Sequence, residues 1–426
     1  MKIYLDTVGC RLNQSEIETF ARQFRSAGHE IVSGAGEADL VVINTCTVTS
    51  QAASDSRQKV RQAVRLGAGE IVLTGCWSTL EPEQAKALPN VRTLIPNGRK
   101  DELVRDLLGL TEPEFDLEPL ERQPLPGKHM RTRAFIKVQD GCDNRCTFCI
   151  TTLARGDGIS RSIPQVLSDI QAALQGGTQE VVLTGVHLGS WGKDRAGSCG
   201  QLGDLIQSIL SETDVSRLRL SSLEPWDLDD NFFELWQDQR LCRHLHLPLQ
   251  SGSAGVLRRM ARKVTPQSYA ALLTAARAAI PDVAITTDLI AGFPGETDDE
   301  FAETLEFVKR MNFSGGHVFT YSARAGTVAA GMLGQVPHNI RKSRSAALRE
   351  LLSESRQTYA ERFLGKKLKV LWENSGKQSD GAWLLEGLTD NYLHVCAKSP
   401  QPRWNQIDSI NLFSTDSTGL MGEINL

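Results

Sequence analysis

The spacing of apolar and polar positions divides the chain into three stretches with different periodicities. Over the first hundred residues, short apolar runs at Lys2–Val8, Ala38–Asn44 and Glu70–Thr74 are rich in Val, Ile and Leu. They predict buried strands. Between them Ser15–Ala27 repeats apolar side chains at three- and four-residue steps (Ile17, Phe20, Ala21, Phe24), which predicts a helix. A β-α-β-α-β rhythm implies a doubly wound parallel sheet. A second alternation places strands at Arg133–Val138, Glu180–Thr184, Arg217–Ser222, His244–Leu249, Ala284–Ile290 and His317–Ser322, with helical patterns such as Pro266–Ala279 and Asp298–Met311 between. Six β-α units imply a partial or complete α/β barrel, with active groups at the C-terminal strand ends; an open Rossmann sheet fits the same pattern. Near the end, Leu368–Trp372, Trp383–Leu388, Leu393–Ala397 and Ile407–Phe413 alternate between Gly and Asp turns, which predicts a small all-β barrel.

Charge sharpens these boundaries. Asp101–Gln123 carries eight acidic and two basic residues, and Pro113, Pro119, Pro124 and Pro126 fall within Thr111–Gly127. This is the composition of an exposed linker. The expected division is 1–110, a linker at 111–127, 128–360 and 361–426. A length of 426 residues, 40% apolar and 23% charged, agrees with about three globular domains. No apolar run approaches the ~18–20 residues of a membrane helix, and Met1–Cys10 has none long enough for a signal peptide. A soluble cytoplasmic protein is the expectation. The net charge of −4 requires any nucleic-acid binding to come from local basic surfaces. Lys128–Arg133, Arg258-Arg259 with Arg262-Lys263, and Arg341–Lys369 are such patches. The last leads into the predicted β-barrel, where Trp372, Trp383, Tyr392 and Trp404 either stack bases or pack the core.

Nine cysteines, an odd number in a large chain without secretory character, argue for metal or catalytic use over disulfides. Cys142, Cys146 and Cys149 follow directly on a predicted strand. Thiolates at this density bind zinc or an iron–sulfur cluster. A structural zinc site wants a fourth ligand, and neither His129 nor His187 has convincing spacing. Three cysteines on a [4Fe–4S] cube leave one iron open; structural zinc and unrelated buried thiols are the alternatives. Cys10, Cys46 and Cys76 are far apart in sequence, yet each falls just past one of the three predicted first-domain strands. The carboxyl edge of an open parallel sheet is where ligands collect, so these three form a second candidate cluster site. Cys199, Cys242 and Cys396 have no partners at ligand spacing and are read as structural.

The Cys142-x3-Cys146-x2-Cys149 spacing after the first barrel strand resembles the radical S-adenosylmethionine enzymes. Together with Gly9-Cys10-Arg11-Leu12-Asn13-Gln14, Asn44-Thr45-Cys46-Thr47-Val48-Thr49 and Val138-Gln139-Asp140-Gly141-Cys142, the whole chain resembles the methylthiotransferase family. The closest likeness is to the branch acting on N6-threonylcarbamoyladenosine at position 37 of tRNA. Where that family usually has a proline and an aromatic before its Arg-Gly pair, this chain has Thr151, Thr152 and Leu153 before Ala154-Arg155-Gly156.

The resemblance implies an N-terminal cluster domain, a radical S-adenosylmethionine barrel and a C-terminal TRAM barrel that binds RNA. It implies two [4Fe–4S] clusters, one on Cys10, Cys46 and Cys76 and one, bound to S-adenosylmethionine, on Cys142, Cys146 and Cys149. All six cysteines are thereby implicated in catalysis. S-adenosylmethionine cleavage to a 5′-deoxyadenosyl radical would serve replacement of the carbon-2 hydrogen by a methylthio group. Phe148 corresponds to an aromatic near the adenine, and Gly185 to a second-strand glycine near the methionyl amino group. Ser222, Glu224, Gln250 and Asp288 end later strands and are candidate cofactor contacts. His244 and His246 alternate on one strand, face one side, and are read as core histidines. Expected partners are a tRNA anticodon loop and an electron donor such as flavodoxin or ferredoxin, with a monomer favoured. A ribosomal-protein aspartate as substrate, or a non-catalytic iron–sulfur RNA-binding sensor, are the rival readings.

Overall fold

The computed structural model describes residues 1–110, 132–194, 200–416 and 419–424. The Thr111–Gly127 linker, His129, Cys199 and most of the Lys128–Arg133 patch lie outside these residues. The first sheet contains β1 (Lys2–Thr7), β2 (Glu30–Ile31), β3 (Leu40–Thr45), β4 (Ile71–Gly75) and β5 (Val91–Ile95), all parallel, in the order β2-β1-β3-β4-β5. Every residue of β3 and β4 is buried, as continuous apolar runs covered on both faces must be. Helix α1 (Arg11–Ser26) lays Ile17, Phe20 and Phe24 against Ile3 and Leu5 on one face. Helix α2 (Ser50–Arg65) covers the other with Ala53, Val60 and Ala63. The short helices α3 (Cys76–Leu80), α4 (Pro82–Lys86) and α5 (Leu103–Leu108) complete the unit. The three expected strands are the central ones. The two edge strands escaped the pattern because β2 has two residues and β5 is only half-buried around Arg92 and Thr93.

After residue 132 come β6 (Arg133–Lys137), a two-stranded clasp of β7 (Gln139–Asp140) and β8 (Ile159–Ser160), then β9 (Glu180–Thr184), β10 (Arg217–Leu220), β11 (His244–His246), β12 (Ala284–Ala291) and β13 (Gly315–Thr320). The parallel sets β6-β9-β10 and β11-β12-β13 are joined by single bridges Leu218↔Leu241 and Ser222↔His246. Among the described residues β6 and β13 do not pair, so the six strands form an incomplete barrel and not a Rossmann sheet. Outside pack α6 (Thr151–Arg155), α7 (Ile163–Gln175), α8 (Leu202–Glu212), α9 (Ala254–Arg259), α10 (Pro266–Ala279), α11 (Asp298–Met311) and α12 (His338–Glu361). The helices α10 and α11 start on Thr265 and Thr297, whose hydroxyls accept from Ser268 N–H and Glu300 N–H. None of the described helices is long and apolar enough to cross a membrane.

The last strands, β14 (Lys367–Lys377), β15 (Trp383–Thr389), β16 (His394–Ser399), β17 (Ile407–Thr415) and β18 (Leu420–Ile424), close a barrel in the order β14-β15-β16-β18-β17. Its core is Val370, Trp372, Leu385, Val395, Ala397, Ile410, Leu412 and Leu420. The fifth strand, interrupted by Gly422 and Glu423, was not expected.

Two seams hold these units in place. The C-terminal barrel abuts the amino-terminal ends of the central strands. There Arg219 forms a two-point ion pair with Glu180 (2.6 and 3.0 Å), both side chains 0% exposed. Arg219 also donates to Asp390 O (2.9 Å) and Thr389 O (3.2 Å), and Arg217 donates to Leu388 O and Lys369 O. Tyr392, in the left-handed region at φ 64°, stacks on His244 with centroids 4.2 Å apart and accepts from Arg11 Nη2 at 2.9 Å. Of the four aromatics expected to stack bases or pack the core, Trp372 is therefore core and Tyr392 is a joint between units. The first sheet joins the central barrel through Arg22–Asp169 (2.5 Å), Lys137–Asp101 (2.5 Å) and the Arg155 cluster described below.

Candidate active site

The order β2-β1-β3-β4-β5 reverses direction between β1 and β3, which opens a crevice at their carboxyl ends. Cys10 lies just beyond β1 as the cap of α1, Cys46 directly follows β3, and Cys76 begins α3 after the neighbouring β4. Gly9 sits at φ 103°, and a Cβ there would lie 2.6 Å from Cys46 Sγ. Gly75, at φ 101°, would place a Cβ 2.2 Å from Thr45 O. Only glycine lets these three loops close on one another.

Polar groups fix each cysteine, Cys46 through its backbone. Asn97 Nδ2 donates to Cys76 Sγ (3.5 Å), and Cys10 Sγ donates to Asn13 Oδ1 (3.6 Å). Ser56 accepts from Cys46 N–H and donates to Cys46 O. Burial pushes the Cys46 thiol up to about 11, and the neighbouring Cys10 and Cys76 push it the same way.

The second triplet lies at the carboxyl end of β6. Its loop is pinned at the base by the β7–β8 clasp, by Cys142 N–H to Gly156 O (3.0 Å), and by Gly141, where a Cβ would meet Asp157 O at 1.8 Å. Asn144 N–H donates to Cys142 Sγ (3.4 Å), and Cys149 N–H donates to Cys146 O (3.0 Å). Thr147 ties the loop to α9 and beyond through Met260 O, Arg259 O and Ala329 N–H. Arg262 Nη1 lies 3.8 Å from Cys146 Sγ, and its fork also holds Glu224 (2.6 and 3.1 Å). Burial raises the Cys146 thiol, with Arg262 opposing.

Among the described residues no three Cys, His, Asp or Glu groups stand close enough to hold a single metal ion. A structural zinc site draws four ligands to one centre, whereas a cube held by three thiolates would leave one iron open. The donor chemistry and the glycine-lined approach of the loops therefore fit an open-site cluster at either place.

The remaining expected contacts divide. Phe148 packs against Val256, Met260, Phe293, Tyr321 and Ala329 and forms a wall of the loop. At Gly185 a Cβ would meet Gln139 Oε1 at 3.0 Å, so this glycine admits the Gln139 side chain, which accepts from His187 N–H. Ser222 bridges to His246. Glu224 is held by Arg262. Gln250 adopts φ 74° and exchanges backbone hydrogen bonds with the end of β12 (Gln250 N–H to Asp288 O, Ile290 N–H to Gln250 O). Asp288 Oδ2 lies 3.3 Å from His246 Nε2, while its Oδ1 is buried with no partner among the described residues. Of the two histidines on β11, His244 is a buried joint residue, but His246 faces the Asp288 carboxylate at the barrel mouth.

Several site residues had no assigned role in the sequence. His187, weighed only as a zinc ligand, lies with Nδ1 3.3 Å from Asn144 Nδ2 and Nε2 2.5 Å from Asp227. Burial would lower its pKa; Asp227 and Cys142 outweigh that and carry it to about 9. Arg262, expected on a basic surface patch, is instead buried, paired with Glu224 beside Cys146. The position of His187 just past a barrel strand was the one available signal.

Residues 2–96 match the model described as uncharacterized protein family UPF0004, and residues 136–308 match the radical SAM superfamily. The chain is 36% identical to threonylcarbamoyladenosine tRNA methylthiotransferase MtaB of Bacillus subtilis, covering 95% of this chain and 92% of that one. It is 33% identical to the protein of the same name from Aquifex aeolicus, over 93% and 96%. The chain belongs to the methylthiotransferase family of radical S-adenosylmethionine enzymes. Membership brings S-adenosylmethionine and a [4Fe–4S] cluster as cofactors. The family also includes tRNA-2-methylthio-N(6)-dimethylallyladenosine synthase of Bartonella tribocorum, 30% identical over 91% of each chain. In fold, the methylthiotransferase resembles the radical S-adenosylmethionine methyltransferase TsrM of Kitasatospora setae, solved with cobalamin and a [4Fe–4S] cluster (TM-score 0.58, 13% identity, 77% of this chain and 74% of that one).

Proposed function

We propose that this methylthiotransferase converts N6-threonylcarbamoyladenosine at position 37 of tRNA to its 2-methylthio derivative. The observation that carries the reading is the pairing of two three-cysteine edges, one on the first sheet and one on the barrel, in a chain 36% identical to a threonylcarbamoyladenosine enzyme. The aromatic C–H bond at carbon 2 is too weakly acidic for any side chain to deprotonate. Bound S-adenosylmethionine and the clusters supply the radical and sulfur chemistry that replaces it.

The protein's part is placement. Cys142, Cys146 and Cys149 would hold the cluster that binds S-adenosylmethionine, with Asn144 N–H and Arg262 donating to its thiolates and tuning them. Cys10, Cys46 and Cys76 would hold a second [4Fe–4S] cluster. Ser222, Glu224 and Gln250 follow the strand ends, and Asp288, expected at one, lies within β12, with Phe148 and Gly185 supporting the barrel loop. Asp288 Oδ1, buried without a partner among the described residues, would be free to accept from a bound ligand. A base in an anticodon loop can enter such a site without unpairing a duplex. In this reading residues 1–110, 128–360 and 361–426 are the cluster, radical and RNA-binding units joined by the 111–127 linker. The enzyme acts as a cytoplasmic monomer with a flavodoxin- or ferredoxin-type electron donor.

The test is anaerobic reconstitution with iron and sulfide, then incubation with S-adenosylmethionine, dithionite and tRNA bearing the modification, with nucleosides read by mass spectrometry. A methylthio adduct on threonylcarbamoyladenosine is expected. Cys146→Ala should abolish 5′-deoxyadenosine release, and Cys46→Ala should preserve it while eliminating the adduct. An adduct on a ribosomal protein and none on tRNA would overturn the substrate. Absence of S-adenosylmethionine cleavage by the two-cluster protein would favour an RNA-binding sensor.

A further inference from the structure

Helix α6 is the first element built after Cys149, and its last residue reaches back to both cysteine sites. Arg155 is 2% exposed at its side chain. Its Nη1 donates to Asp140 Oδ1 (2.8 Å) and Oδ2 (2.9 Å) and to Glu16 Oε1 (2.9 Å); its Nη2 donates to Asn13 Oδ1 (2.7 Å). Asp140 stands two residues before Cys142 and accepts from Gly141 N–H (2.8 Å). Asn13 is the residue whose Oδ1 receives the Cys10 thiol, and its Nδ2 spans Val8 O and Thr45 O, the approaches to Cys10 and Cys46. Glu16 is held from the other side by Lys100 (2.8 Å) and Asn44 (2.8 Å). One residue earlier, Ala154 O accepts from Asn97 Nδ2 (2.7 Å), the amide that also reaches Cys76.

We propose that Arg155 is a positioning residue that sets the separation and orientation of the two cysteine sites. Its guanidinium binds the base of the Cys142 loop and the helix capped by Cys10 at the same time. The inference rests on the reading that both triplets carry clusters. The acceptors of Arg155 divide between the units: Asp140 comes from the barrel, and Glu16 and Asn13 come from the first sheet, each beside a cysteine site. The role needs a planar fork, since three acceptors in different directions are satisfied at once, and lysine offers a single point of charge. Neither unit alone fixes where the other's cysteines lie, and methylthio transfer depends on that distance.

The test compares the full-length wild type, Arg155→Lys and Arg155→Met after anaerobic reconstitution. Iron content, 5′-deoxyadenosine, methylthio adduct and the inter-cluster distance distribution from pulsed electron paramagnetic resonance are measured for each. Both variants are expected to keep two clusters' worth of iron and to keep cleaving S-adenosylmethionine. The ratio of adduct to 5′-deoxyadenosine should fall by about 10²-fold, the scale of an ångström of misplacement. The distance distribution should broaden. In the metal-free proteins, hydrogen exchange should rise in residues 10–17 and 76–80 while β9 to β12 stay protected. A lysine variant that keeps the wild-type ratio and distance would overturn the proposal, as would parallel loss of cleavage and adduct at unchanged distance. Wild type that binds only one cluster would instead bring down the two-cluster reading, and the inference with it.

Discussion

The Arg219–Glu180 pair offers a worked test of what holds the C-terminal barrel to the central one. Arg219→Met removes both ion-pair bonds and the donors to Asp390 O and Thr389 O, and leaves the Glu180 carboxylate buried with Arg217 at 3.7 Å as its nearest remaining cation. Removing one partner of a buried pair costs roughly 3–5 kcal/mol. Opening the seam relieves much of that penalty, because water then reaches Glu180 and the two carbonyls. A 4 kcal/mol cost corresponds to an undocked population raised about 10³-fold.

A single unfolding midpoint is ill-defined for a chain of several units, so the assay is native-state hydrogen exchange over residues 389–393. Exchange there should accelerate by about that factor, while β3 and β4 in the first sheet remain protected. The second arm is Glu180→Leu with Arg219→Met. Replacing both partners by apolar residues removes the uncompensated charge and should restore most of the protection; Arg217 stays satisfied by Leu388 O and Lys369 O. Exchange in the single variant indistinguishable from wild type, or a double variant as open as the single one, would refute the reasoning.

Two further expectations follow from other parts of the fold. Gly75→Ala puts a side chain at φ 101° and a Cβ 2.2 Å from Thr45 O, so it should speed hydrogen exchange in β3 and β4 and lower the iron bound by the first triplet, whereas Gly69→Ala, with nothing within 4 Å, should change neither. Burial alone would raise the Asp169 carboxyl, but Arg161 and Arg22 outweigh it and hold the pKa below the ordinary value. Because the folded pKa is depressed, the Arg22–Asp169 contribution is present above the ordinary carboxylate value of about 4 and is lost as pH falls through the lower folded value. Exchange in α1 should therefore rise over that window in wild type and show no such step in Asp169→Asn.

Much of the architecture was legible because it is written in local pattern. The buried runs of β3 and β4, the six barrel strands and the tight cysteine triplet all report within a few residues of themselves. Cys10, Cys46 and Cys76 became readable only once placed at strand ends. What escaped is what depends on distant partners. Arg155 meets Glu16 across 139 residues and Asn13 across 142, and Arg262 reaches Cys146 across 116. No periodicity marks such arginines. Tyr392 was read as a base-stacking or core aromatic because its ring carries no mark of the His244 ring it meets in another unit. β2, β5 and β18 are short or half-exposed, and so lack the apolar run that announces a strand.

The hydrogen bond from Arg11 to Tyr392 spans 381 positions of the chain. During synthesis at about 5–20 residues per second, that bond waits some 20–80 s after Arg11 is made. The first sheet has all its strands long before then, and its cysteine edge is complete in sequence by residue 76. The contact between Arg11 and the C-terminal barrel therefore forms only when the ribosome has nearly finished, long after the residues of the other seam are made. A ribosome stalled between the barrel and residue 392 would hold a chain that already carries the Arg22–Asp169 and Lys137–Asp101 partners of that seam and lacks only the C-terminal joint.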